Sequence, residues 1–236
     1  MATNLSATVL DSLLDKAVNI PSNRARARVA KLRARHPKAS PEQLVKMLES
    51  DFLFRSKFSG AGVGAAAAVP TVGTAVALGL TAAQMGTFLA SIAYHVMAVA
   101  EVYGIPLENK EQRRTLLLTA ILGEEGANTV QTSLGLSTVH WARQALTNLP
   151  ASTVKSVNAT LRKRAAKTAA TRGGLTMVGR LAPFGIGAAV GWTAGKAMAN
   201  TALDAIRAAF GPAPSSWAAT DTIDADGSSR AGQLPA

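Results

Sequence analysis

Apolar positions recur along this chain at helical spacing, and the two-residue alternation of a half-buried strand is nearly absent. Leu5, Val9, Leu13 and Val18 predict a short amphipathic helix within the first twenty residues. Ser40-Pro41-Glu42-Gln43 predicts a helix start: Ser at the N-cap, Pro in the first turn, Gln where a capping box is reciprocated. Leu44, Met47, Leu48, Phe52 and Phe54 give that helix an apolar face to about Lys57. Gly60, Gly62 and Gly64 then loosen the chain, and Pro70 breaks any helix formed in the Ala tract. A long helix is expected from Thr74 to Tyr103, ended by Gly104, with a turn at Pro106. Asn109-Lys110-Glu111-Gln112 opens the next, which carries Leu116, Leu117, Leu118, Ile121 and Leu122.

A shorter segment from Glu124 to Ser133 leads through Gly135 to a helix around Trp141. Pro150 opens a basic helix with Arg162, Lys163, Arg164 and Lys167. After Gly173-Gly174 a last helix, broken or started at Pro183, runs to about Phe210. The fold class is therefore all-α, a bundle of close-packed Gly/Ala-rich helices. Three parts are expected: an N-terminal amphipathic helix (1–20), a helical domain (21–211) and a disordered tail (212–236) rich in Pro, Ser, Ala and Asp.

From Phe58 to Ala100 there are 43 residues without one Asp, Glu, Lys or Arg. A membrane span needs about 20 apolar residues, so length alone would allow two crossings. Gly and Ala dominate the run, and Pro70 lies within the first candidate span. Attachment that is peripheral or partly inserted is expected rather than spanning. Gly79, Ala83, Gly86, Ala90, Ala93 and Ala100 fall on one stripe of the long helix, with Met97 the only large member. Gly187, Gly191, Gly195 and Ala199 repeat every four residues near the end of the chain and form a groove about three turns long. The two stripes are expected to pair, which makes Gly79, Gly86, Ala90, Gly187, Gly191 and Gly195 the candidate helix-packing positions.

Charge adds a direction. The net charge is +11, with eleven Lys/Arg against five Asp/Glu in residues 1–57, the same in 101–180, and three against four in 181–236. Basic blocks thus flank the uncharged run and favour anionic surfaces. Within Asn23–Arg35, Arg24, Arg28, Lys31 and Arg35 fall on one helical line, with Arg26 and Arg33 opposite. Ala25, Val29 and Leu32 make a narrow apolar strip. The helix can dock that strip on a core and remain solvated, meet lipid phosphates, or meet nucleic acid. The last reading lacks interleaved aromatics, a zinc knuckle or a helix-turn-helix signature. The first twenty residues lack the basic start of a signal peptide, and Asp11, Asp15 and Lys16 interrupt their apolar positions.

Candidate chemistry is thin. No Cys is present, which excludes disulfides, thiolate metal sites and a cysteine nucleophile. His36, His95 and His140 have no partner at metal-ligand spacing, and His95 in its apolar helix reads as a structural, hydrogen-bonded imidazole. Glu124-Glu125 is the one adjacent carboxylate pair, and a helix start after Gly123 explains it through the dipole. Gly62-Val63-Gly64-Ala65-Ala66-Ala67 matches a relaxed dinucleotide fingerprint but follows a helix rather than a strand. No nucleophile elbow or phosphate loop occurs. A protein without catalytic residues, cofactor or metal is the expectation.

Four stretches carry a family resemblance: His36-Pro37-Lys38-Ala39-Ser40-Pro41-Glu42-Gln43-Leu44, Val69-Pro70-Thr71-Val72-Gly73-Thr74-Ala75-Val76-Ala77, Ala100-Glu101-Val102-Tyr103-Gly104 and Gly179-Arg180-Leu181-Ala182-Pro183-Phe184-Gly185-Ile186-Gly187. Across residues 25–212 the chain resembles actinobacterial members of the EcsC family, named for a gene beside an ABC transporter in Gram-positive bacteria. The resemblance implies a helical, membrane-linked protein without an established biochemical activity, and it supplies no catalytic residues. The expected place is the cytoplasmic face of the membrane, with an envelope transporter or further copies of the chain as partners. The alternative is a soluble cytoplasmic helical scaffold or nucleic-acid-associated protein.

Overall fold

A computed structural model describes residues 2–67, 74–105, 107–135, 140–143, 149–180, 186–214 and 216–217, and the side chains of 8–56, 83, 85–105, 107–135, 140–143, 149–168, 195–214 and 216–217 among them. Eight helices stand among the described residues: α1 (Ala2–Val18), α2 (Ser22–Arg35), α3 (Pro41–Ala67), α4 (Thr74–Val102), α5 (Lys110–Leu122), α6 (Glu124–Leu134), α7 (Ala151–Arg180) and α8 (Ile186–Phe210). The described fold is all-α, as the periodicity implies.

Two starts follow directly from local sequence. The Ser40 hydroxyl accepts from the Gln43 backbone N–H at 3.2 Å, and the Ser40 N–H donates to the Gln43 side-chain oxygen at 2.9 Å, closing the capping box of α3. Asn109 caps α5 by accepting from the Glu111 N–H at 2.8 Å. Gly123 joins α5 to α6 at φ 65°, a conformation that suits glycine, and a Cβ there would stand 2.5 Å from Thr201 of α8.

Helix α4 is the centre of the packing, with α1, α2, α3 and α5 against it. Helix α8 lies along α3, and α5 packs between α7 and α8. Leu44, Leu48 and Phe52 of α3, Leu89, Ile92 and Val96 of α4, Leu116–Leu118 of α5, Leu161 of α7 and Leu203 of α8 are buried together. Each such side chain contributes about 1.5–3 kcal/mol on leaving water. The most apolar window, Met85–Val102 with mean hydropathy 1.4, is long enough to cross a bilayer, yet 56% of it is buried inside the protein.

Several elements depart from local expectation. Helix α3 does not loosen after Lys57 but stays helical through Gly60, Gly62 and Gly64 to Ala67. Each helical glycine costs about 1 kcal/mol relative to Ala, and the close run of α3 along α8 offsets that cost. Helix α7 likewise continues through Gly173-Gly174 to Arg180. On α1 the buried face is Leu14, Ala17 and Val18, while Val9, expected on the apolar side, is 41% exposed. Of the helix expected around Trp141, Ala142 and Arg143 are described as helical, and 144–148 lie outside the described residues. So does most of the expected tail, from residue 218 onward, whereas Trp217 packs against the core cluster.

The expected pairing of the two small-residue stripes is corrected. Helix α4 touches α8 only marginally. The partner of α8 is α3, and their direction is fixed near one end. Arg207, close to the C-terminus of α8, forks onto Glu49, close to the N-terminus of α3, at 2.8 Å through both Nε and Nη2. The helices are therefore antiparallel. Twelve residues onward from Glu49 lies residue 61, and twelve back from Arg207 lies Gly195, so the Gly/Ala-rich halves of the two helices run side by side.

Polar side chains join the helices elsewhere. Arg113 of α5 is nearly fully buried and donates to four carbonyl oxygens: Leu107 at 2.6 Å, Ile20 at 2.9 Å, Val18 at 3.2 Å and Glu108 at 3.3 Å. It satisfies the otherwise unpaired carbonyls at the C-terminal end of α1 and the loop before α5 at once. Asn158 of α7 donates to the Glu111 carbonyl and carboxylate, both at 2.9 Å, and accepts from the Thr115 hydroxyl at 2.9 Å.

Candidate anionic contact face

Helix α2 is built from residues that favour helix, chiefly Ala, Arg, Lys and Leu, and its last turn carries Arg33 and Arg35 where the dipole is negative. Ala25, Val29 and Leu32 are its buried residues, so the predicted strip is the docking strip, laid chiefly on α4. That fixes which arginines turn inward. At 100° per residue the strip centres about 65° from Arg28 and about 75° from Arg33. Both of these bordering residues are used inside the molecule.

Arg28 is half-buried and bonds Asp51 of α3 at 3.0 Å, with its Nε buried and without a partner among the described residues. Arg33 lies 4.1 Å over the Trp217 ring, whose indole N–H donates to the Ala39 carbonyl at 3.2 Å. Arg26 binds Glu108 and Ser22. Arg24, Lys31 and Arg35 lie farther round the helix, are exposed, and form no ion pair among the described residues. Of the four residues predicted for an anionic surface, three present their charge outward and Arg28 is spent on Asp51. Lys38 just beyond α2 is also exposed.

The basic character of α7 is more internally balanced. Arg162 pairs with Asp11 at 3.7 Å and Arg164 with Glu125 at 3.1 Å. Lys46 pairs with Glu42 one turn away at 2.7 Å.

Among the helix-packing positions, Gly86 faces α1: a Cβ there would stand 3.1 Å from Leu13 Cδ2. Ala90 and Gly195 are half-buried, and Ala199 is fully buried. Gly79, Gly187 and Gly191 have helical backbone, but their surroundings lie outside the described side chains. The decoy fingerprint at Gly62 is α-helical, not a phosphate-cradling turn.

His95 is buried and stacks on Phe52 with ring centroids 4.9 Å apart. Its Nε2 finds no hydrogen-bond partner among the described residues, contrary to the expected bonded imidazole. Burial pushes its pKa from the ordinary 6.5 down to about 4, against the opposing pull of Glu49 and Asp51. The cavity beside it, lined by Asp51, Arg55, Tyr94 and Ser91 among others, measures about 20 Å³, far below the several hundred Å³ of a substrate pocket. Among the described residues no three His, Asp or Glu side chains gather where one metal ion would reach them.

A second face adjoins α2. His36, Lys38 and Ala39 of the α2–α3 loop and Gln43, Lys46 and Met47 of α3 line an open groove of about 850 Å³. Trp217 closes on Ala39 at its edge. The basic wheel of α2 was readable in the sequence; the Trp217 anchor was not, its one signal being an aromatic in a Pro/Ser/Ala stretch. Comparison with protein-family models, with characterised proteins and with solved structures finds no match.

Proposed function

We propose that this chain is a non-enzymatic helical protein that attaches peripherally to the cytoplasmic face of the membrane and acts through a protein partner. The EcsC resemblance belongs to this proposal, and an envelope transporter or another copy of the chain is the partner class it suggests. The observation that carries the reading is the outward line of Arg24, Lys31 and Arg35 on a helix clamped from behind by Ala25, Val29 and Leu32. A clamped cationic line meets a plane of lipid phosphates with its backbone already ordered, so only the side chains lose freedom on contact. Helix α4 supports attachment over insertion, since its apolar window is spent largely on α1, α2 and α3.

Co-sedimentation with vesicles of 30% anionic lipid tests this. Each Lys or Arg near such a surface contributes about 1 kcal/mol, so Arg24→Gln, Lys31→Gln and Arg35→Gln together should weaken binding about 100-fold. Binding should also fall steeply with salt. Equal binding to neutral vesicles, or resistance to both salt and carbonate with release only by detergent, would refute peripheral electrostatic attachment. A salt-dependent shift of DNA without vesicle binding would favour the nucleic-acid alternative instead.

A further inference from the structure

Resting on that reading, we propose that Arg24, Arg28 and Arg55 form a site for the phosphomonoester headgroup of an anionic lipid, with the Asp51 carboxylate standing in for the phosphate until the lipid arrives. Asp51 of α3 accepts from two guanidinium groups at once. Its Oδ2 takes Nη2 of Arg28 and Nη2 of Arg55 at 3.0 Å each, and its Oδ1 takes Nε of Arg55 at 3.1 Å. Nη1 of both arginines has no acceptor among the described residues, and neither has the buried Nε of Arg28. The place is short of negative charge. Tyr94 of α4 brings a third cation to it: its hydroxyl donates to the Arg24 carbonyl at 3.4 Å, and Tyr94 lines the same small hollow as Asp51 and Arg55. Arg24 stands one turn before Arg28 and about 40° round α2, exposed and without an ion pair among the described residues. Three guanidinium groups thus share one carboxylate.

A phosphomonoester answers this set better than a phosphodiester. It carries a charge of about −1.5 to −2 and three terminal oxygens that accept from guanidinium forks, whereas a diester carries a single charge and two such oxygens. Asp51 holds Arg28 by one bond and Arg55 by two, so their free donors are placed before the headgroup comes. The hollow beneath, at about 20 Å³, is too small for a phosphate, so the headgroup rests on the guanidinium edges outside it. Arg24 and Arg28 lie within the same arc of about 60° as Lys31 and Arg35, so a lipid held here belongs to the surface that those two cations meet.

Flotation of the full chain with vesicles of phosphatidic acid or of phosphatidylserine, matched in surface potential, separates a built site from general attraction. The wild type should bind the phosphatidic acid vesicles about tenfold more tightly. Arg55→Gln should abolish that preference while leaving most of the binding to phosphatidylserine. Asp51→Asn keeps the shape of the carboxylate but removes its charge, so it should widen the preference. Circular dichroism checks that both variants are folded. Equal binding of the two vesicles by the wild type overturns the site and leaves peripheral attachment standing. A preference that neither variant changes also overturns it, since the headgroup would then be read elsewhere. Competition by glycerol 3-phosphate as effective as that by phosphatidic acid vesicles overturns the lipid assignment in favour of a soluble phosphomonoester. Binding to neither vesicle sinks the membrane reading and the lipid headgroup with it.

Discussion

His95 sets a pH dependence that a single substitution should remove. The folded imidazole titrates at about 4 rather than 6.5 because burial disfavours its cation. The facing groups do not cancel this: Glu49 and Asp51 pull the value up, Arg207 pushes it down, and Arg55 lines the same small cavity. As pH falls through 6.5 the unfolded chain takes up a proton that the folded chain refuses. Stability is therefore fully present above about 6.5 and is lost progressively as pH drops towards 4. A gap of about 2.5 pH units at about 1.4 kcal/mol each gives about 3 kcal/mol in the limit, of which about 2 kcal/mol is gone at pH 5. Urea unfolding followed by circular dichroism at pH 7.5 and pH 5 reads this directly. With a slope of about 2.5 kcal/mol/M, the midpoint should fall by about 0.8 M. His95→Phe keeps a ring on Phe52 and removes the unpartnered nitrogen, so its midpoint at pH 7.5 should match or exceed that of the wild type, and its pH slope should be nearly flat. A wild-type midpoint that does not move between the two pH values, or a variant that keeps the full slope, refutes the burial argument.

Two further substitutions probe the joints of the fold. Gly211→Ala should cost about 3 kcal/mol, because φ is +77° and a Cβ would collide with the imidazole ring of His140; at this chain length Tm should drop by about 6–12 °C. Gly135→Ala has a similar φ of +60° but open space around it, so its Tm should fall by only about 2–4 °C, and equal losses would show that the His140 contact is irrelevant. Arg113→Met strands the buried carbonyls at the end of α1 and should destabilise by about 3–5 kcal/mol, with the amides around residues 18–24 exchanging hydrogen faster. Unchanged exchange there would mean that Arg113 does not hold α1.

The local signals translated well into structure, and the nonlocal ones did not. The capping box at Ser40, the Asn109 cap and the α2 strip depend on residues within one or two turns, so their chemistry is complete in the sequence. The continuation of α3 through three glycines is different, because the compensation comes from α8, far along the chain. The same reason explains the mistaken partner for the Gly187–Ala199 repeat: small residues announce that a helix will come close, but not which one. Nothing in the sequence sets Arg113 apart from a surface arginine, because its four acceptors are main-chain carbonyls, which leave no mark in side-chain spacing. On α2 the wheel placed all four cations on one line, yet rotations of only about 20–60° separate Arg28, drawn in by Asp51, from the three that stay outside.

The antiparallel pairing of α3 with α8 has a consequence for how the protein is made. Glu49 and Arg207 are 158 positions apart in the chain. A ribosome adding about 5–20 residues per second takes roughly 8–30 s to cover that interval. For most of it the Gly/Ala-rich length of α3 has been synthesised while the helix that covers it has not. The nascent chain thus spends most of its synthesis with its longest seam open, next to the basic helix α2 already in place. An anionic surface or a holding chaperone has those seconds to meet it before the last helix arrives and shuts the bundle.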